Sequence, residues 1–256
     1  MKISKSGLIL TVVLAYSVSS AASDAPFSGT WKLNLGKSQI TGTTASLEKN
    51  PSGTYHFDSG GFAYDFDLTG KEYPTPDGGT TAWKKLNDTT WEATNRMNGT
   101  VIGSYGLSLK GNTLVSVMKV TKPDGGEAEQ KSTWVRVSGG PGFLGKWKST
   151  EVKGVPTTLQ LSTDGSNMAM VFPEFKSSCK GTFDGKDYVW NVAGVDSKET
   201  CTFERINANS FRMITKLNGK PISTDVFTIS TDGKVLTDEG NAVSVNEPTR
   251  AVYERE

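Results

Sequence analysis

Short runs of alternating apolar and polar residues, separated by turn dipeptides, restrict the fold of this chain more than any other feature. The run from Phe62 to Leu68 places an apolar residue at every second position, and Asn-Gly pairs follow similar runs at 98–99 and 218–219. A period of two is typical of a strand with one buried face, and Asn-Gly is a strong hairpin signal because both turn positions need positive φ. The pattern therefore predicts an all-β chain of antiparallel up-and-down strands.

The chain carries one pattern twice. The stretch FSGTWKLN at 27–34 matches FLGKWKST at 143–150, and STWVRV at 132–137 matches AVYERE at 251–256. Other matches lie between these and keep the same order along both halves. Such internal similarity indicates a repeated structural unit.

The repeat predicts two domains in tandem. Each half has about 110 residues, which is enough for a core of its own. We predict one β-barrel at 23–137 and a second at 143–256, joined by a Gly/Pro linker at 138–142. Because closing a sheet on itself removes its exposed edges, the expected fold class is two antiparallel up-and-down β-barrels of about 8–10 strands each.

The beginning of the sequence resembles an export signal. Two lysines precede an apolar run from Gly7 to Val18, and the small-residue string SSAAS follows. We predict a signal peptide at 1–22, cleaved after Ala22 or, alternatively, after Ser23. An uncleaved membrane anchor is the other interpretation, but the run is shorter than the roughly 20 residues that span a bilayer. The expected location is therefore periplasmic or secreted.

The charge balance predicts neither a nucleic-acid partner nor a membrane span. Removal of Lys2 and Lys5 with the signal peptide leaves 26 basic and 27 acidic residues, scattered along the chain. A near-neutral protein gives no electrostatic reason to expect a polyanionic partner. No later segment is apolar for long enough to cross a bilayer.

The sequence has two cysteines, Cys179 and Cys201. In an oxidising compartment such a pair is expected to form a disulfide, here between neighbouring strands. Two free thiols are the alternative.

The repeated Gly-x-Trp is interpreted as a barrel-closing motif. A Trp at the start of the first strand can plug one end of a barrel, and a Gly two residues earlier lets the chain pass close beneath it. A basic residue on the last strand can then lie over the indole face. The proposed barrel-closing residues are Gly29, Trp31 and Arg136 in the first half, and Gly145, Trp147 and Arg255 in the second.

On these motifs each half resembles the lipocalin and fatty-acid-binding-protein superfamily of small barrels, whose members begin with Gly-x-Trp and end with a basic residue near that Trp. The tandem arrangement is similar to that of exported bacterial lipocalin-like proteins. The resemblance implies a lumen that binds a small molecule. The carboxylate clamp of fatty-acid-binding proteins is not carried over, because Arg250 and Tyr253 are three residues apart and so lie on opposite faces of a regular strand.

Inward-facing aromatic residues are the candidates for a ligand-binding lumen. Either they fill the barrel cores or they line a cavity, and one residue can do both. The candidate lining residues are Tyr64, Phe66, Trp83, Trp91, Phe203, Phe211 and Met213.

The sequence predicts no metal, no cofactor and no catalytic residues. The single histidine, His56, is interpreted as an ordinary strand residue, with a haem ligand as the alternative. Asp65 and Asp67 share a face opposite Tyr64 and Phe66, so they point outward if the aromatic residues point inward. The reversed phase would place two carboxylates inside, where they could act as acid and base.

These observations favour an exported, non-catalytic binding protein that carries or sequesters a small apolar or amphipathic ligand in a barrel lumen. The alternative from a different class is an interaction or inhibitor module that acts through hairpin loops on filled barrels. An enzyme or a haem barrel is a third possibility.

Overall fold

Antiparallel hairpins make up nearly the whole molecule. The structure, a computed structural model, describes residues 26–122, 125–154, 157–245 and 247–256. The predicted export signal at 1–22 lies outside the described residues. The strands form two ten-stranded, barrel-shaped antiparallel sheets, which confirms the predicted all-β fold class. The predicted hairpin turns also form, since Asn98 and Asn218 have φ of 47° and 51° and the following glycines are positive as well.

Barrel 1 is formed by ten consecutive strands, and neighbouring strands are hydrogen-bonded in the order β4-β3-β2-β11-β10-β9-β8-β7-β6-β5. Among the described residues no ladder joins β4 to β5, so the barrel has a seam there. The strands are β2 (Thr44–Lys49), β3 (Tyr55–Ser59), β4 (Phe62–Phe66), β5 (Thr69–Pro74), β6 (Thr80–Asn87), β7 (Thr90–Met97), β8 (Thr100–Lys110), β9 (Thr113–Thr121), β10 (Glu127–Ser138) and β11 (Gly145–Lys153).

Barrel 2 is a closed barrel that combines the first strand of the chain with the last nine. Two short 3-10 turns, Leu35–Lys37 and Pro173–Phe175, accompany it. Its strands are β1 (Gly29–Leu33), β12 (Thr158–Asp164), β13 (Asn167–Phe172), β14 (Ser177–Thr182), β15 (Tyr188–Val192), β16 (Val195–Asn207), β17 (Ser210–Leu217), β18 (Lys220–Ile229), β19 (Val235–Ala242) and β20 (Thr249–Arg255).

The predicted division into 23–137 and 143–256 is wrong for the two Gly-x-Trp strands. Strand β1 pairs with β12 and β20, so it belongs to barrel 2. Strand β11 pairs with β10 and β2, so it belongs to barrel 1. Barrel 1 is therefore one continuous segment inserted between the first two strands of barrel 2. The predicted linker at 138–142 is a connection within barrel 1.

A local hairpin accounts for this exchange. Strands β10 and β11 follow each other in the chain, and sequence neighbours pair readily because closing a short loop costs little entropy. Once β11 occupies the first-strand position of barrel 1, the matching edge of barrel 2 is left for β1.

An Arg lies over the Trp of each Gly-x-Trp motif, but the partners are exchanged with the strands. The guanidinium of Arg255 lies 4.1 Å from the centre of the Trp31 ring, and that of Arg136 lies 4.2 Å from the Trp147 ring. The expected pairing of Trp31 with Arg136, and of Trp147 with Arg255, was wrong because each Arg stands across the ladder from the Trp that enters its own barrel.

Both closures use the same contacts. Each indole donates to the carbonyl four residues earlier, Phe27 or Phe143, at 2.9 Å. Gly29 and Gly145 have φ of +148° and +127°, a region that disfavours residues with a Cβ. A Cβ at Gly29 would lie 2.6 Å from the Arg255 guanidinium, and one at Gly145 would meet the Ser138 carbonyl oxygen. The Gly in this motif is thus required by both backbone shape and close packing.

Cys179 on β14 and Cys201 on β16 form a disulfide across the intervening strand β15. Both residues are buried in the barrel 2 core. The prediction of a bonded pair is confirmed, but the two cysteines do not lie on neighbouring strands as expected, because β15 lies between β14 and β16.

Candidate ligand-binding cavity

A cavity of about 470 Å³ lies in the lumen of barrel 1. Its walls come from strands on all sides of the barrel, because inward side chains alternate along each of them. Trp147 and Phe143 belong to the closed end, where Phe143 contacts Trp91 at 4.3 Å between ring centres. The opposite end carries polar residues of the β5–β6 and β7–β8 regions.

Most of the lining is aromatic or aliphatic. Phe66 stacks on Trp83 at 5.0 Å, and Tyr105 meets Trp83 edge-on at 5.9 Å. Contacts of this kind hold the rings in place and leave an apolar surface toward the lumen. The apolar and aromatic lining residues are Leu47, Phe57, Phe62, Tyr64, Phe66, Trp83, Ile102, Tyr105, Leu107, Leu114, Met118, Trp134, Phe143 and Trp147.

A few polar groups interrupt this wall. Trp134 donates to the Ser116 hydroxyl at 2.9 Å. Burial raises the pKa of the Tyr64 and Tyr105 hydroxyls, so both stay protonated and neutral. The Trp83 N–H is buried beside the Tyr64 hydroxyl without completing a hydrogen bond.

Ion pairs and hydrogen bonds fix the polar end of the lumen. Glu72 accepts from Arg96 at 3.1 Å and from Thr80 at 3.0 Å. Asp77 accepts from the Thr75 hydroxyl and from the Gly79 N–H. Because each charge at this end has a partner, the mouth of the cavity is polar but balanced.

The interior of barrel 2 is occupied by side chains. Phe211 packs against Phe27 at 5.0 Å and stacks on Phe227 at 4.8 Å. The ladders show that Phe203 and Phe211 occupy the positions that Trp83 and Trp91 occupy in barrel 1. The same fold therefore contains a cavity in one half and a packed aromatic core in the other.

The predicted lining residues separate into three groups. Tyr64, Phe66 and Trp83 line the lumen of barrel 1. Trp91 is buried under the closed end against Phe143, with its N–H unpaired. The predicted residues of the second half, Phe203, Phe211 and Met213, belong to the core of barrel 2.

Sequence reasoning missed several lining residues. Phe57, Tyr105 and Leu107 stand on regular strands, and their alternation with polar neighbours could have identified them. Asp77 and Arg96 gave no such signal, because they approach the lumen from a loop and from the end of a strand.

Two carboxyl groups inside barrel 2 were also missed. Asp225 shares a strand face with the buried Phe227, and Asp238 stands directly across the ladder from Phe227. Asp225 accepts from the Ser223 hydroxyl at 2.7 Å, while Oδ1 of Asp238 has no hydrogen-bond partner. Burial raises the pKa of both carboxyls, and the nearby Asp225 charge raises that of Asp238 further. These groups favour the neutral form inside the barrel.

The other sequence candidates lie on the outer face. His56 Nδ1 is 2.7 Å from the exposed Asp65 carboxylate, so His56 is not placed to bind a haem in the lumen. Asp67 accepts from Thr69 and Tyr73 at the β4–β5 connection. The phase in which the aromatic residues point inward is therefore the one observed.

Comparison with known proteins assigns the chain to no family. No family model matches the chain, and no curated protein is significantly similar to it. Within the described ranges, no group of three or more His, Cys, Asp or Glu side chains is arranged to hold a metal ion. The same ranges contain no helix that is long and apolar enough to cross a membrane.

Proposed function

We propose that this protein binds a small apolar or amphipathic molecule in the lumen of barrel 1. The observation that carries the proposal is the aromatic-lined cavity of about 470 Å³. Small-molecule sites have volumes of about 300–1,000 Å³ and combine an apolar lining with a few well-placed polar groups. The lumen of barrel 1 has both properties.

The lining favours a mostly apolar ligand with one polar group. Aromatic rings cover the deep end, whereas Asn95, Arg96 and Asp77 are at the mouth. A fully charged ligand would gain less, because the ionic groups of the mouth already have partners.

The proposal assigns the ligand to barrel 1 alone. Packing of Phe27, Phe211 and Phe227 in barrel 2 supports a structural role for that barrel. The inserted barrel would then be the binding unit, and barrel 2 would hold it on two connections.

Export and a lipocalin-like relationship are part of the same proposal. The Cys179–Cys201 disulfide is compatible with an oxidising compartment, and the two Gly-x-Trp closures with a basic partner support the relationship. Mass spectrometry of the mature protein tests the export step, since cleavage after Ala22 predicts a product that begins at Ser23. An intact N-terminus in the exported fraction would contradict it.

Binding can be tested with N-phenyl-1-naphthylamine, a neutral probe that fluoresces in apolar sites. Ala45 lines the lumen across the ladder from Trp147, so Ala45→Phe should fill part of the cavity and weaken binding at least about ten-fold. Ala63→Phe, on the outer face of β4, is the matched control and should bind as the original protein does. Absence of probe binding, or equal binding by Ala45→Phe in a folded protein, would refute the proposal.

A further inference from the structure

A second cavity lies between the two barrels. It has a volume of about 470 Å³ and is enclosed by β8 and β9 of barrel 1 and by the 3-10 turn, β14, β15 and β16 of barrel 2. Much of its wall is apolar, formed by Val101, Val120, Phe172, Phe175, Trp190 and Val192. We call it the inter-barrel cleft.

The cleft and the lumen adjoin. Asn95, Ile102 and Met118 line both cavities. Two of these junction side chains are flexible aliphatic groups, and Met in particular adapts its shape to neighbouring ligands. A molecule that occupies the lumen can therefore extend past Ile102 and Met118 into the cleft.

The junction is polar on one side. The β5–β6 loop docks on barrel 2 there, since the Lys198 N–H donates to the Asp77 carbonyl at 2.8 Å and Asn218 donates to the Pro76 carbonyl at 3.3 Å. The Glu199 carboxyl faces the cleft, and burial, with a smaller effect of Asp77, raises its pKa to about 7. Glu199 is thus able to donate or accept a hydrogen bond near neutral pH.

Two cations near the junction are paired with carboxylates. Arg96 is paired with Glu72, and Lys119 lies 3.7 Å and 3.9 Å from Glu127 and Glu129. A charged ligand group would have to compete with these pairs after losing its own hydration. An uncharged group with both a donor and an acceptor fits the junction better.

We propose that the lumen and the inter-barrel cleft form one bipartite site for a single molecule with two apolar arms joined by an uncharged polar group, such as an amide. One arm occupies the lumen, the polar group lies among Asn95 and Glu199, and the second arm occupies the cleft. This inference rests on the proposed function, because the first arm is the ligand of the lumen. It adds a ligand class and makes barrel 2 part of the site.

A series of amides tests the second arm. Octanamide has one arm, and N-butyl- and N-hexyloctanamide add a second arm of increasing length. Each buried CH₂ is worth about four-fold in affinity, so the N-hexyl compound should displace the naphthylamine probe at concentrations at least about ten-fold lower than octanamide does.

Variants at the cleft show where the second arm lies. Val101 and Thr100 line the cleft but not the lumen, and Val101 is 52% exposed, so Val101→Trp and Thr100→Trp should fold while obstructing the cleft. Both should bind octanamide normally and lose the gain from the N-hexyl arm. Val137→Trp, at a 61% exposed position outside the cleft, is the control and should keep the gain.

The outcomes separate the two proposals. If octanamide and the probe both fail to bind, the lumen proposal falls and the bipartite site falls with it. If octanamide binds but the N-hexyl arm gives no gain, the lumen proposal stands and the bipartite site is wrong. The bipartite site is also wrong if both folded cleft variants retain the full gain.

Discussion

Barrel 1 and barrel 2 share a ten-strand layout, a Gly-x-Trp closure and an Arg over each Trp, but they differ in what occupies the lumen. Ala45 and Tyr64 of barrel 1 correspond in the ladders to Leu159 and Cys179 of barrel 2. The smaller Ala leaves space beside the Trp, while the Cys forms a crosslink. The space beside the Trp of each barrel thus depends on the side chain that stands across the ladder from it.

The two barrels also differ in how the strands pair at the seam between β4 and β5 of barrel 1. In barrel 2 the corresponding strands β14 and β15 pair through residues 177–179 and 190–192, and the disulfide spans them. In barrel 1 the described residues of β4 and β5 have no ladder. The barrel with the cavity is therefore the one with fewer cross-strand constraints.

The largest expected effect comes from the exchanged tryptophans. Trp31→Ala should destabilise barrel 2 by about 3–5 kcal/mol and leave barrel 1 nearly unchanged, because the fully buried indole packs in barrel 2. Trp147→Ala should do the reverse. Hydrogen exchange resolved by strand measures both. Faster hydrogen exchange in strands β6–β9 of the Trp31→Ala variant would contradict the strand exchange and support the simple tandem arrangement, in which Trp31 belongs to barrel 1.

Loss of the disulfide should have the next largest effect. Replacing Cys179 and Cys201 together by Ala should lower the free energy of unfolding of barrel 2 by about 3 kcal/mol, since the crosslink no longer restricts the unfolded chain. Urea unfolding of both barrels is the measurement. A reducing agent should reproduce the shift in the original protein and have no effect on the variant. An equal loss in barrel 1 would show that the two barrels unfold as one unit.

The buried carboxyls Asp225 and Asp238 should make the stability of barrel 2 fall as the pH rises. The pKa of Asp238 is raised in the folded state, so its contribution to stability is complete below about pH 4 and is lost as the pH rises toward that raised pKa. Asp238→Asn should remove this loss, so it should stabilise barrel 2 at pH 8 and have a smaller effect at pH 3. Unfolding at pH 3 and pH 8 is the measurement. Glu92→Gln, on an exposed position of β7, should show no such difference. A pH-independent effect of Asp238→Asn would argue for a packing role.

The smallest effect is expected from a substitution that makes the lumen of barrel 1 more similar to that of barrel 2. Ala45→Leu introduces the residue that barrel 2 carries at Leu159, and it should stabilise barrel 1 by roughly 1 kcal/mol by burying methyl groups in an existing space. The same variant should bind the naphthylamine probe more weakly. Thermal unfolding and probe titration measure the two effects. A destabilised variant would indicate that the space next to Trp147 is too narrow for Leu.

The sequence predicted the strands and the hairpin turns because these depend on local patterns, and it predicted the disulfide because the chain has two cysteines and a signal typical of export. Asn98-Gly99 defines its hairpin without reference to the rest of the chain. The strand exchange had no local signal, since the stretches around Trp31 and Trp147 share the pattern F-x-G-x-W-K and either could complete either barrel. The cavity could not be predicted from the sequence either, because its volume depends on the summed volumes of side chains from many strands. Asp77 reaches the site only because of the path of the β5–β6 loop, and Arg96 only because of its position near the end of β7.

The insertion of barrel 1 between β1 and β12 also delays the pairing of these two strands during synthesis. During synthesis β1 emerges first, and residues 34–157 must follow before its partner β12 is available. At about 5–20 residues per second this interval is on the order of ten seconds, during which the edges of β1 have no partner from barrel 2. Barrel 1, as one continuous segment, can complete itself within that interval. A chaperone that shields unpaired strand edges would thus matter most for the first few residues of the folded protein, not for its longest strands.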